Sequence, residues 1–133
     1  MALRVDLRSG ERMVVNGAVL RASGRVQLFV DNRVSILRGA DIMSPDEATT
    51  PARRLYFACM MAYLEPENEA HREEVVSLFA SIFDAFQGRA AKEACGRLAA
   101  VMATGDFYRA LGVCRELIGY ENGVLDRMES AAA

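Results

Sequence analysis

The apolar residues of this chain change their spacing once, near residue 40, and that change constrains the fold more than any other feature. Before it they alternate, which is the period of strands; after it they recur every three to four residues, the period of helices with one buried face. A chain patterned this way is expected to be α+β: a small N-terminal antiparallel β-sheet or sandwich over about residues 2–40, then a helical region of about four helices. At 133 residues it is long enough to bury roughly two-thirds of its unfolded surface. The expectation is one domain over residues 1–128, β-rich at 1–40 and helical at 44–120, with a frayed tail at 129–133.

Within the alternating region the sharpest signal is Asn16-Gly17, because a two-residue type I′ turn needs positive φ at both central positions and this dipeptide accepts it cheaply. Such a turn pairs Val15 with Ala18, Val14 with Val19 and Met13 with Leu20. Both faces of that hairpin are apolar, so it is expected inside a sheet or sandwich and not at a wet surface. Leu3, Val5 and Leu7 alternate with Arg4, Asp6 and Arg8 in a half-buried strand that ends at Ser9-Gly10. Beyond a turn at Ala22-Ser23-Gly24, Val26, Leu28 and Val30 alternate with Arg25, Gln27 and Phe29. A three-residue loop through Arg33 would then set Val30 opposite Val34 and Leu28 opposite Ile36, a hairpin with a bulge.

The helical region opens with Ser44-Pro45-Asp46-Glu47, a capping box with proline at the first helical position, and Thr50-Pro51 repeats the start. The first long helix, about 51–64, is apolar on nearly all sides and should be central. In the next, about 68–87, Val75, Val76, Phe79, Ile82, Phe83 and Phe86 form one stripe, with Gly88 as its C-cap. Ala91, Ala94, Cys95, Leu98, Val101 and Met102 repeat the spacing up to Thr104-Gly105. Asp106 then caps a fourth helix bearing Phe107, Leu111, Cys114, Leu117 and Ile118.

Chemistry-bearing residues are sparse. Cys59, Cys95 and Cys114 form no C-x-x-C pair and lie in apolar helical contexts, which suits buried thiols in a reducing compartment. The single histidine, His71, stands among glutamates in a first helical turn, and the carboxylates fall on polar helix faces. Gly10, Gly17 and Gly24 belong to strand turns and make no phosphate-binding loop ahead of a helix. An enzyme is not expected, nor a metal, a cofactor or a membrane span, and no apolar run resembles a signal peptide.

Charge is distributed unevenly. Residues 1–40 carry seven arginines against Asp6, Glu11 and Asp31, a net +4, while residues 41–133 carry nine bases against fifteen acids, a net −6. Arginine offers a planar fork for phosphate, so Arg4, Arg8, Arg12, Arg21, Arg25, Arg33 and Arg38 are the candidate RNA-binding residues. Phe29 is the only aromatic among the first 50 residues, so a multi-ring base-stacking sheet is not expected and contact would be phosphate and base-edge work by arginines.

Two segments also carry a family resemblance. One is Glu11-Arg-Met-Val-Val-Asn-Gly-Ala-Val-Leu20; the other is Leu37-Arg38 followed by Asp41-Ile-Met-Ser-Pro45 and Thr50-Pro51-Ala-Arg-Arg-Leu-Tyr56. In this order they resemble the flagellar biosynthesis repressor FlbT family, most densely over residues 1 to 64 and more loosely to about 128. Glu11, Asn16, Gly17, Thr50, Pro51 and Tyr56 are the motif positions read as structural, with Ala18, Val19, Leu37, Arg38, Arg54 and Leu55 also matching. Cys59 and Met60 stand where a polar residue often follows in the family. The resemblance implies a cytoplasmic post-transcriptional repressor of flagellin synthesis that binds the leader of flagellin messenger RNA and promotes its decay. It assigns no RNA contact to any residue. The alternative is a protein-binding adaptor acting through flagellin, an export chaperone or another flagellar regulator, or a second copy of the chain, with Met60, Met61 and Tyr63 as groove residues.

Overall fold

A computed structural model describes residues 3–132, which form two compact units dividing between Met43 and Ser44. The α+β expectation holds: antiparallel strands come first and four helices follow.

The first unit contains β1 (Leu3–Leu7), β2 (Arg12–Val15), β3 (Ala18–Arg21), β4 (Val26–Val30) and β5 (Ile36–Arg38). Asn16 and Gly17 have φ of 48° and 85°, the type I′ geometry, and β2 pairs with β3 in the register that this turn dictates. Asn16 also reaches beyond its own hairpin. Its Oδ1 accepts from the Ser35 N–H at 3.2 Å while its own N–H donates to the Ser35 carbonyl at 3.0 Å. The turn residue thereby ties the hairpin to the start of β5.

The strands make two sheets, β1-β4 and β3-β2-β5. Val5, Leu7, Met13 and Ala22 form the buried cluster of this unit, with Val15, Leu28, Val30 and Ile36 packed around it, so the apolar face of β1-β4 lies against the Met13 face of the other sheet. Two expectations are corrected here. The hairpin is not enclosed on both strands: β2 is central and buried at Met13 and Val14, but β3 is an edge strand exposed along its length, with Val19 63% and Leu20 44% exposed. Nor do β4 and β5 form a bulged hairpin. β4 pairs with β1, setting Leu3 opposite Val30, Val5 opposite Leu28 and Leu7 opposite Val26, and β5 pairs with β2. These long-range registers align three apolar pairs on one face of β1-β4 and add Val15–Ile36 and Val14–Leu37, more apolar cross-strand contact than the local hairpin offers.

The second unit begins with a 3-10 turn at Pro45–Glu47, where the Glu47 carboxylate accepts from the Ser44 N–H at 3.1 Å and from its hydroxyl at 2.9 Å. Helix α1 (Pro51–Leu64) has Pro51 in its first turn and Thr50 as N-cap, the Thr50 hydroxyl accepting from the Arg53 N–H at 3.3 Å. Its buried Leu55, Tyr56, Cys59 and Met60 make it the centre of the unit, packed on α2 (Glu69–Ala85) and α4 (Phe107–Ala132). Helix α3 (Arg89–Ala103) packs on α4. Helix α4 runs antiparallel to α1, as Glu121–Ala52, Arg115–Tyr56, Cys114–Cys59 and Tyr108–Tyr63 contacts succeed one another along both. At the near end Glu121 Oε2 accepts from the Ala52 N–H at 2.9 Å, a carboxylate on the positive end of the α1 dipole.

The helical expectations are corrected at three points. Gly88 takes an extended φ of −69° and caps the start of α3, while Phe86 is the C-cap of α2. The α2 stripe is buried only at Val75 and Ile82; Val76 is 59% and Phe83 42% exposed, because the stripe is wider than the surface α1 presents. The α4 backbone continues to Ala132 and does not end near residue 120, since apolar residues recur at helical spacing through Val124, Leu125 and Met128. Ala133, the end of the expected frayed tail, lies outside the described residues.

Candidate nucleic-acid interface

All seven candidate arginines are exposed, but they do not converge on one site. The strand alternation that buries Val5 and Leu7 turns Arg4, Asp6 and Arg8 to the opposite face, and the β1-β4 register adds Gln27 opposite Asp6 and Phe29 opposite Arg4. Carried one residue past the ladder, that register sets Arg8 opposite Arg25. One face of the two-stranded ribbon therefore presents Arg4 and one acid, Asp6, and by extension of the register Arg8 and Arg25 flank its end.

This face is shaped as well as charged. Arg4, Asp6, Arg25, Val26 and Gln27 line an open cleft of about 420 Å³. Arg4 is held in place: its Nε lies 3.3 Å from the Asp6 carboxylate, and the Gln27 carboxamide, with its oxygen turned to Arg4, accepts from Nε and Nη2 at 2.7 and 2.8 Å. The Arg8 and Arg25 guanidinium groups carry no ion pair among the described residues, which leaves their five-donor forks for an external anion.

The other four arginines stand elsewhere. Arg12 and Arg21 face each other across β2-β3, and Arg33 is in the 31–35 connection. Arg38 is paired to Glu11 at 3.8 Å. Glu11 is a bracket for the strand ends: its carboxylate also accepts from the Arg8 N–H at 3.2 Å, and its backbone carbonyl from the Ala22 N–H at 3.0 Å. Tyr56 is buried, its hydroxyl accepts from Arg115 Nη2 at 3.0 Å, and the Arg115 guanidinium lies 5.4 Å from its ring centre.

The remaining chemistry-bearing groups are inert or scattered. Cys59, Cys95 and Cys114 are buried free thiols, with Cys59 and Cys114 sulfurs 3.8 Å apart. The hydrogen bond to Cys59, together with burial, pushes the Cys114 thiol well above its ordinary value, and burial raises Cys95 too, which suppresses the reactive thiolate. His71 is half-buried with Nε2 3.4 Å from the Glu65 carboxylate. Among the described residues no three His, Cys, Asp or Glu side chains are grouped to hold a metal, and no helix is long and apolar enough to cross a membrane.

Of the groove residues, Met60 is buried and Met61 and Tyr63 are half-buried. The large apolar side chains left open in this unit lie on α2, at Val76 and Phe83, and on α4, at Tyr108, Val124, Leu125 and Met128. Residues of α2, α3 and α4 line a groove of about 470 Å³, among them Val75, Val76, Ala99, Met102 and Phe107, with Arg72 over the Phe107 ring at 5.6 Å.

Sequence reasoning singled out the arginines and did not place Phe29, Gln27 or Asp6 among the candidate site residues. The parity that groups Phe29 with Arg25 was visible in the alternation of β4; its placement beside Arg4 depends on the long-range β1-β4 register.

Comparison with known proteins identifies the family. The model of the family described as "Flagellar protein FlbT" matches residues 3–125. The chain is 36% identical to the flagellum biosynthesis repressor protein FlbT of Caulobacter vibrioides, over 100% of this chain and 96% of that protein. It is 34% identical to the FlbT protein of Agrobacterium fabrum, over 98% and 89%, and 36% identical to that of Brucella anthropi, over 93% and 87%. No solved structure matches it. With one family model spanning nearly the whole chain and full-length relatives above 30% identity, the chain belongs to the FlbT family of flagellar proteins.

Proposed function

We propose that this protein is a cytoplasmic repressor of flagellum biosynthesis that binds the leader of flagellin messenger RNA and promotes its decay. The observation that carries this reading is the β1-β4 face: Arg4, Arg8 and Arg25 on one exposed surface with a single acid, a local net +2 in a chain of net charge −2. Phosphate oxygens are recognised by such forks, and exposed strand surfaces present them without burying charge. Asp6 and Gln27, between the arginines, supply acceptor and donor groups for base edges. Arg12, Arg21, Arg33 and Arg38 extend the positive field around this surface and act in steering more than in contact.

A second reading has its own observation. The exposed Val76 and Phe83 on α2 would suit a protein-mediated repression in which flagellin, an export chaperone, another flagellar regulator or a second copy of the chain is the partner. The two readings separate in one assay: binding of the purified protein to a labelled flagellin leader RNA, with and without flagellin. The RNA reading predicts saturable binding with the protein alone. Binding that appears only when flagellin is present would overturn it in favour of the second.

A further inference from the structure

Phe29 is 60% exposed, on the arginine face of the β1-β4 ribbon, directly across the ladder from Arg4. A large apolar ring on the polar side of a strand contributes nothing to the buried cluster, whose members come from the opposite face. Its neighbours on that face are Arg4, Gln27 and, further along, Arg25. We propose that Phe29 is a base-stacking platform, and that the ligand of this face is a single-stranded RNA segment whose unstacked base lies on the ring while the flanking phosphates are held by Arg4 and Arg25. The inference rests on the RNA reading of the same face given above.

The physical argument is one of access. In a duplex the bases are stacked on each other and paired, so a ring fixed on a protein strand cannot reach a base face; in a single strand it can. Strands rise about 3.4 Å per residue, which sets Phe29 and Arg25, four residues apart, roughly 14 Å apart along the ribbon, a span of a few nucleotides. Between them, Asp6 and Gln27 face the edge of a base rather than its phosphate. Asp6 repels phosphate but accepts from an exocyclic amino group, so the order along the face is ring, base-edge groups, cation. Arg4 is already oriented by Asp6 and Gln27, which lowers the ordering cost of binding beside the ring.

The test uses the full chain and a short mixed-sequence single-stranded RNA, with the same sequence as a duplex for comparison. The protein has no tryptophan, so Phe29→Trp installs a single indole at the platform, whose red-shifted emission is read apart from the four tyrosines. Stacking predicts that single-stranded RNA quenches it and the duplex does not. Phe29→Ala should weaken single-strand binding roughly 5- to 150-fold, with the slope of affinity against salt unchanged because no phosphate contact is lost. Circular dichroism should be unaltered in both variants, since the ring lies outside the core. Salt-dependent binding by wild type that Phe29→Ala leaves intact, without quenching in Phe29→Trp, would overturn the platform and leave the arginine reading standing. Absence of RNA binding by wild type at low salt would overturn both.

Discussion

Replacing Gly17 with alanine isolates one physical term, because a Cβ built at that position meets nothing within 4 Å and the only cost is backbone conformation. At φ of 85°, an L-residue loses about 1–2 kcal/mol to the clash of its Cβ with the backbone. With a urea dependence of about 1–3 kcal/mol per molar, the unfolding midpoint of the strand unit should fall by roughly 0.3–2 M. Nuclear magnetic resonance of the β2 and β3 amides through a urea titration reads that unit directly. Gly24→Ala is the control. Its Cβ also meets nothing within 4 Å, but Gly24 does not have a positive φ, so the same substitution should be neutral or stabilising by about 0.4–1 kcal/mol. Gly17→Ala unfolding at the wild-type midpoint, or an equal loss in both variants, would rule out the turn as the element that sets the β2-β3 register.

Two further perturbations probe the helical unit. Thr50→Ala removes the hydroxyl that accepts from the Arg53 N–H and should cost about 1 kcal/mol by thermal melting, whereas Thr50→Ser should recover most of it. Glu116 accepts two bonds from Arg97 at 2.7 and 2.9 Å, and the hydrogen bonds and charge of Arg97 hold its carboxyl below the usual range. A depressed carboxylate stabilises the fold above its unfolded pKa and loses that contribution as pH falls through the folded one. Wild type should therefore be slightly more stable than Glu116→Gln at neutral pH, the difference vanishing in acid; a difference that grows in acid would contradict the assignment.

What was legible in the sequence was local. Asn16-Gly17, Ser44-Pro45, Thr50-Pro51 and Asp106 each encode a turn or cap within a few residues, and each is in place. Pairing between distant strands was not legible, because Val26, Leu28 and Val30 present the same alternating face to any apolar strand. The local β4-β5 hairpin satisfied that pattern as well as β1 does, and only the sum of cross-strand contacts over the whole unit separates them. Exposure of β3 was hidden for a related reason: apolar residues at Val19 and Leu20 do not reveal that their strand is an edge. On the candidate face, Arg4 with Arg8 and Arg25 with Phe29 could be grouped by parity strand by strand. Joining the two groups needed the register.

If the β1-β4 arginine face holds RNA phosphates, binding of the full chain to single-stranded flagellin leader RNA should weaken steeply with ionic strength, and a salt series on wild type and one variant reads this out. For single strands each phosphate contact contributes about 0.7 to the slope of log affinity against log salt, so replacing Arg4, Arg8 and Arg25 by Gln should flatten the slope by roughly 2. The melting temperature should barely change, because exposed polar substitutions move stability by no more than about 0.5 kcal/mol. Wild-type affinity insensitive to salt, or a triple variant with the wild-type slope, would exclude phosphate contact by this face and move the function to the α2 surface and a protein partner.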